Sequence, residues 1–207
     1  MSTKIRGDQP DGRFFKESPA YVVLYPEADG ELRVASEITE QGVAVLTFAA
    51  MFDAVIEVTH RSRLGGTYVF ERADHINPFQ FLDRRGKGFV TDVRLGWPAR
   101  DGRILLRSSG AFAGCSRLMW HPEPKGLAFE FDADILDEYS RLREMAGLYA
   151  WQETDAEIRR TWHEGHVIAL AQRAVELVEV TEGDGKDFNQ LAFFDPEFEQ
   201  WHYVPHP

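Results

Sequence analysis

The stretch from Phe89 to Phe131 constrains this chain most, because nothing else in it alternates so regularly. Phe89, Thr91, Val93, Leu95 and Trp97 fall on one side of a period-2 pattern, and Val90, Asp92, Arg94 and Gly96 fall on the other. Successive side chains of a strand point to opposite faces, so the pattern predicts a strand with one buried face. Pro98-Ala99-Arg100-Asp101-Gly102 then turns the chain, and Arg103 to Ser108 forms a second strand. Ser109-Gly110 turns it again, Phe112 to Trp120 forms a third strand, and Leu127, Phe129 and Phe131 mark a fourth. Asp-Gly and Ser-Gly between apolar runs are hairpin chemistry, since glycine reaches positive φ without a steric cost. The prediction is an antiparallel meander over about 89–131.

The flanking segments add strands and helices. Ala20 to Tyr25 reads as a strand, Pro26 to Gly30 as a turn and Glu31 to Ser36 as the returning partner, with Gly42 to Leu46 a further short apolar run. A helix over about 47–61 carries Phe48, Met51, Phe52, Val55, Ile56 and Thr59 at i, i+3, i+4, i+7 spacing, with Thr47 suited to be its N-cap. Thr67 to Phe70 is a short strand. Asp132 or Asp134 caps a helix over about 134–147 that carries Ile135, Leu136, Tyr139, Leu142 and Met145. Another helix runs over about 154–178, where Thr154 and Glu157 have capping-box spacing and Val167, Leu170, Ala171, Ala174, Leu177 and Val178 form a stripe. Phe188 to Phe194 is a last strand, and the aromatic tail after it packs on the body. Helices against a mostly antiparallel sheet define the α+β class. Residues 1–18, interrupted by Gly7, Pro10 and Gly12, form a flexible tail, and residues 19–207 form one domain with an acidic helical part from about 132.

Composition narrows the partners. Of 207 residues 43% are hydrophobic, enough for a core, and no run approaches the ~18 apolar residues of a membrane span. The N-terminus lacks the apolar centre of a secretory signal, and a lone Cys115 excludes an internal disulfide and a cysteine-based zinc site. These features point to the cytoplasm. The net charge of -11 is unevenly placed: residues 1–120 hold 16 Lys and Arg against 15 Asp and Glu, whereas residues 121–207 hold 7 against 19. Such a field repels phosphate backbones and attracts a basic protein. The ordinary use of an acidic surface is solubility.

No P-loop, dinucleotide fingerprint, nucleophile elbow or H-E-x-x-H pattern occurs, so an enzyme would need a dispersed site, and no cofactor is implied. His163, Glu164 and His166 are the candidate metal ligands, although i, i+3 is one residue short of the zincin pair and His163 falls in the apolar stripe. Arg84, Arg85 and Lys87, with Gly86 and Gly88, form a candidate anion-binding loop. Asp53, Glu57 and His60 (or Arg61) form a column on the face of their helix opposite Phe48 and Phe52 with the ligand types for a divalent ion, and its ordinary reading is a solvated face with a Glu57–Arg61 pair. Asp74-His75 and Cys115 are weaker candidates for general-base and nucleophile roles. The aromatic set differs in kind. Trp162 lies off the main stripe of its helix, and Trp201 and Tyr203 lie in a tail with Glu197 and Glu199. Aromatic rings rimmed by charge suit an interface hot spot. The expectation is a non-enzymatic protein-binding module, concretely an immunity protein or inhibitor of a basic partner. The alternatives are a small metal-assisted hydrolase and a small-ligand or anion-binding regulatory module.

Overall fold

The computed structural model describes residues 19–76, 81, 88–122 and 131–206. In chain order its elements are β1 (Tyr21–Pro26), β2 (Leu32–Val34), β3 (Ser36–Thr39), β4 (Gly42–Phe48), α1 (Met51–Arg63), β5 (Val69–Arg72), β6 (Gly88–Arg100), β7 (Arg103–Leu106), β8 (Cys115–Pro122), α2 (Ala133–Met145), α3 (Trp151–Thr161), α4 (Glu164–Leu177), β9 (Val180–Glu182), β10 (Gln190–Asp195) and β11 (Gln200–Pro205). Among the described residues no helix is long and apolar enough to cross a membrane.

β6 is the strand shared by the whole sheet. Its first half runs parallel to β4, from Ala44 opposite Val90 to Phe48 opposite Arg94, and antiparallel to β8. A bulge between Arg94 and Gly96 interrupts the β8 ladder, which re-aims the strand. The second half then takes new partners. Trp97, Pro98 and Ala99 face Ala192, Leu191 and Gln190 of β10, and Ala99 and Arg100 face Ile104 and Arg103 of β7. The resulting path is β11-β10-β6-β4-β1-β2, with β3 on β4, β5 on β1 and β9 on β7. The class is α+β, and most pairings are antiparallel. The sheet is nevertheless mixed, because β4–β6 and β7–β9 are parallel.

The meander is realised only in part. The Asp101-Gly102 hairpin forms, with φ of 51° and 75° at its two turn residues, as a two-residue loop of this hand requires. β8, however, returns to β6 rather than to β7. The fourth predicted strand lies outside the described residues except for Phe131, which is buried just before α2. β6 is also buried on both faces, not one. Val93 and Leu95 pack with Tyr139 and Leu142 of α2, whereas Trp97 and Ala99 pack with Phe52 and Ile56 of α1 and Leu170 of α4.

Helix boundaries shift for local reasons. Thr47 is not a cap: it lies buried in β4, its hydroxyl donating to the Val45 carbonyl at 3.0 Å. α1 starts at Met51, whose N–H donates to Asp155 Oδ1 of α3 at 2.6 Å. The helix predicted over 154–178 is two helices, because Trp162 and His163 are extended, with ψ of 134° and 139°. His163 Nδ1 then caps α4 by accepting from the Gly165 N–H at 3.1 Å. Thr154 sits inside α3, so its spacing to Glu157 marks no helix start. α2 begins as expected, with the Asp132 side chain accepting from the Asp134 N–H.

Candidate functional site

The site is built on a buried charge pair that joins α1 to α2. Arg143 Nη2 reaches both carboxylate oxygens of Asp53 at 2.6 Å, and the Tyr139 hydroxyl donates to Asp53 Oδ2 at 2.8 Å. The guanidinium also lies 4.9 Å from the Tyr139 ring centre and 5.6 Å from that of Phe193. Arg143 and Asp53 are almost fully buried, so neither charge is tolerable without the other. The column of Asp53, Glu57 and His60 is therefore not a solvated face: all three side chains are buried. Glu57 accepts from Arg61 Nε at 2.8 Å and from the Trp97 indole at 3.3 Å, within a cluster that brings in Glu37, Asp92, Arg94 and Arg107. Gly114 makes room for that cluster, since a Cβ there would fall on the Arg94 guanidinium.

Arg143 forms one wall of a cavity of about 260 Å³. Gly147, at φ 85°, ends α2 and turns the chain through Leu148, Tyr149 and Ala150 into α3. The facing wall is the loop between β10 and β11. Asp195 Oδ1 holds that loop by accepting from the N–H groups of Glu197 at 2.8 Å and Phe198 at 3.2 Å. Phe52, Leu148, Trp151 and Ile158 supply apolar lining, and Thr154, Asp155, Asp195 and Glu197 supply polar lining. Tyr149 and Phe198 also line the cavity while 78% and 73% exposed, so two aromatic rings stand at its mouth.

The sign of the field follows from the pairing. Asp53 already neutralises Arg143 and Arg159 pairs with Asp155, which leaves Asp195 and Glu197 as the remaining acidic groups of the cavity. Burial pushes the Asp155 carboxyl above the usual carboxylate range, although the Met51 N–H and Arg159 act against it. Glu197 is exposed and enters no ion pair among the described residues. An enclosed apolar wall with free negative charge at its rim suits a cation carried on an apolar stem.

The residues singled out in the sequence are distributed around this cleft and away from it. Glu197 lines it. Glu199 sits at the hairpin tip with φ of 55° and pairs with Arg173 at 3.0 Å. Trp201 is half-buried, donates from its indole to the Ala174 carbonyl at 2.9 Å and packs edge-on against Trp97. Tyr203 and Trp162 are likewise half-buried against the same core. His163 is occupied as a helix cap, Glu164 opens α4, and the His166 ring rests 4.8 Å from Trp162. Among the described residues no three His, Cys, Asp or Glu side chains gather where they could hold a metal ion. Arg84, Arg85 and Lys87 lie outside the described residues. Asp74 pairs with Arg72 and His75 with Glu71, and burial pushes the half-buried Cys115 thiol up to about 11.

Sequence reasoning placed Asp53 on a solvated face and passed over Arg143, Asp155, Asp195 and Phe198. The signal for Asp53 was present: Phe52, Ala54, Val55 and Ile56 surround it, an apolar girdle too broad for a one-faced helix. Asp195-Pro196 likewise announces a turn whose next exposed side chains are Glu197 and Phe198. Comparison of the chain with family models, with curated proteins and with solved structures finds no match in any of the three.

Proposed function

We propose that the protein is a non-enzymatic, cytoplasmic protein-binding module of the inhibitor or immunity type that takes a basic partner on its acidic, aromatic C-terminal surface. The cleft between the α2–α3 turn and the β10–β11 loop carries this reading. Its one arginine is neutralised internally, its remaining carboxylates are Glu197, which enters no ion pair among the described residues, and Asp195, which also holds the loop N–H groups, and Tyr149 and Phe198 stand exposed at its mouth. A lysine or arginine of the partner would lay its stem on Leu148 and Trp151 and direct its charge to those carboxylates. The surplus of acidic residues after residue 120 supports the same reading, because it speeds encounter with a basic protein.

The test is a tryptophan-fluorescence titration of the full chain with hexa-arginine and, as control, hexa-glutamate, at 50 and 300 mM salt. The expected result is a saturable change with hexa-arginine alone, weakened several-fold at the higher salt and in a Glu197→Gln/Phe198→Ala variant. No saturable change at 50 mM salt, or an equal change in the variant, would overturn the reading.

A further inference from the structure

On the other side of α3 from the acidic cleft, a second depression of about 470 Å³ has the opposite character. Arg72, Arg159 and Arg160 line it, against one carboxylate, Glu71, which is already engaged by His75 Nδ1 and the Arg72 N–H. Tyr21, Phe70 and Met51 complete its lining. Tyr21 and Arg72 are direct cross-strand partners of β1 and β5, so their side chains share one face of the sheet.

The arginines are incompletely used. Arg72 gives Nε and Nη2 to Asp74, Arg159 gives Nε to Asp155, and Arg160 gives Nη2 to Glu157. Each keeps at least one terminal N–H nitrogen with no hydrogen bond among the described residues. Tyr21 is the second and independent observation. It is only 1% exposed, and its hydroxyl has no hydrogen-bond partner. Buried polar groups are almost always paired, so an orphaned hydroxyl beside three arginines calls for an acceptor.

We infer that this depression binds a phosphate monoester, with phosphoryl oxygens accepting from the Tyr21 hydroxyl and from the unused terminal N–H groups of the arginines. Arginine forks match phosphoryl oxygens in geometry as well as charge. Phe70 and Met51 offer apolar surface to the organic group of the ester. Arg160, with 75% of its side chain exposed, is free to turn inward and close over the anion. Burial holds the Tyr21 hydroxyl far above its ordinary pKa, so it stays a donor next to an anion. Its lining shares no residue with the acidic cleft, so the site stands or falls separately from it.

The experiment is calorimetric titration of the full chain with inorganic phosphate, phenyl phosphate and adenosine monophosphate, in wild type, Arg160→Ala and Tyr21→Phe. Wild type is expected to bind the two esters saturably and more tightly than inorganic phosphate. Arg160→Ala should weaken ester binding at least tenfold and Tyr21→Phe several-fold. Tyr21→Phe removes an unpaired buried hydroxyl, so the folded state is expected to be no less stable, which separates lost binding from lost folding. Absence of saturable binding of any probe at 10 mM, or ester binding undiminished in either variant, would overturn the inference.

Discussion

His121 sets how the fold responds to mild acid. Its ring is buried, stacks on Phe89 with centroids 4.5 Å apart and lies 3.0 Å from Thr91 Oγ1. Burial lowers its pKa to about 4, against about 6.5 for an exposed histidine. Below pH 6.5 the unfolded chain therefore takes up a proton that the folded state refuses. Stability is fully present above that pH and is lost as pH falls toward 4. His60, stacked on Phe112 and lowered by burial, acts in the same sense. Glu37 and Glu57 do not confuse the window. Burial raises each, but their arginines outweigh it and hold both below the usual range, so their contribution fails only in stronger acid. Urea unfolding of wild type is expected to lose about 1 kcal/mol more between pH 7.5 and 5.5 than that of His121→Gln, every other group titrating alike in both. Parallel pH curves for the two proteins would show that His121 titrates normally.

Among the elements, α1 shows what local sequence can and cannot specify. The Asp101-Gly102 hairpin was legible because its requirement, two residues at positive φ, is met by two adjacent residues. The N-terminus of α1 was not, because Ala50 offers no side-chain cap and the acceptor is Asp155 of a different helix. The same reasoning covers Asp53, whose partner Arg143 lies 90 positions away, and the break at Trp162-His163, where helical spacing continues on both sides. Of the candidate site, Glu197 was legible from charge, whereas the cavity behind it depends on how α1, α2, α3 and β10 meet. A cap supplied across helices gives a definite expectation. Asp155→Ala should cost about 0.5–2 kcal/mol, the usual range for losing a helix N-cap, and Asp155→Asn should cost clearly less because its Oδ1 still accepts from Met51. Equal losses in the two variants would instead assign the effect to the Asp155–Arg159 ion pair, whose Nε–Oδ2 distance is 3.0 Å.

For the whole molecule, the decisive fact is where the last hairpin goes. Leu191 and Phe193 of β10 lie in the core under α2, while Ala192 and Phe194, one residue out of step, lie in the core between α1 and α4. β11 contributes Val204 to the first and leans Trp201 and Tyr203 on the second. The acidic C-terminal segment is also tied back to the near-neutral half by Arg63–Glu176, Arg103–Glu179 and Arg117–Glu138, though such exposed pairs contribute only ~0–1 kcal/mol each. Two of the three cores thus depend on the same terminal strands, and only the third, around Tyr21, Val23, Leu46 and Phe48 beside α1, is built without them. The expected consequence is a single cooperative thermal transition, with calorimetric and van't Hoff enthalpies that agree. Deleting residues 188–207 should then abolish that transition altogether rather than lower its midpoint. It would strip β6 of its β10 partner and leave large apolar faces of α1, α2 and α4 uncovered. If the truncated chain instead unfolds cooperatively, and the full chain shows two transitions, the β4–β6–β8 half of the sheet is an autonomous unit. The bulge at Arg94–Gly96 would then mark a boundary between folding units rather than a bend within one.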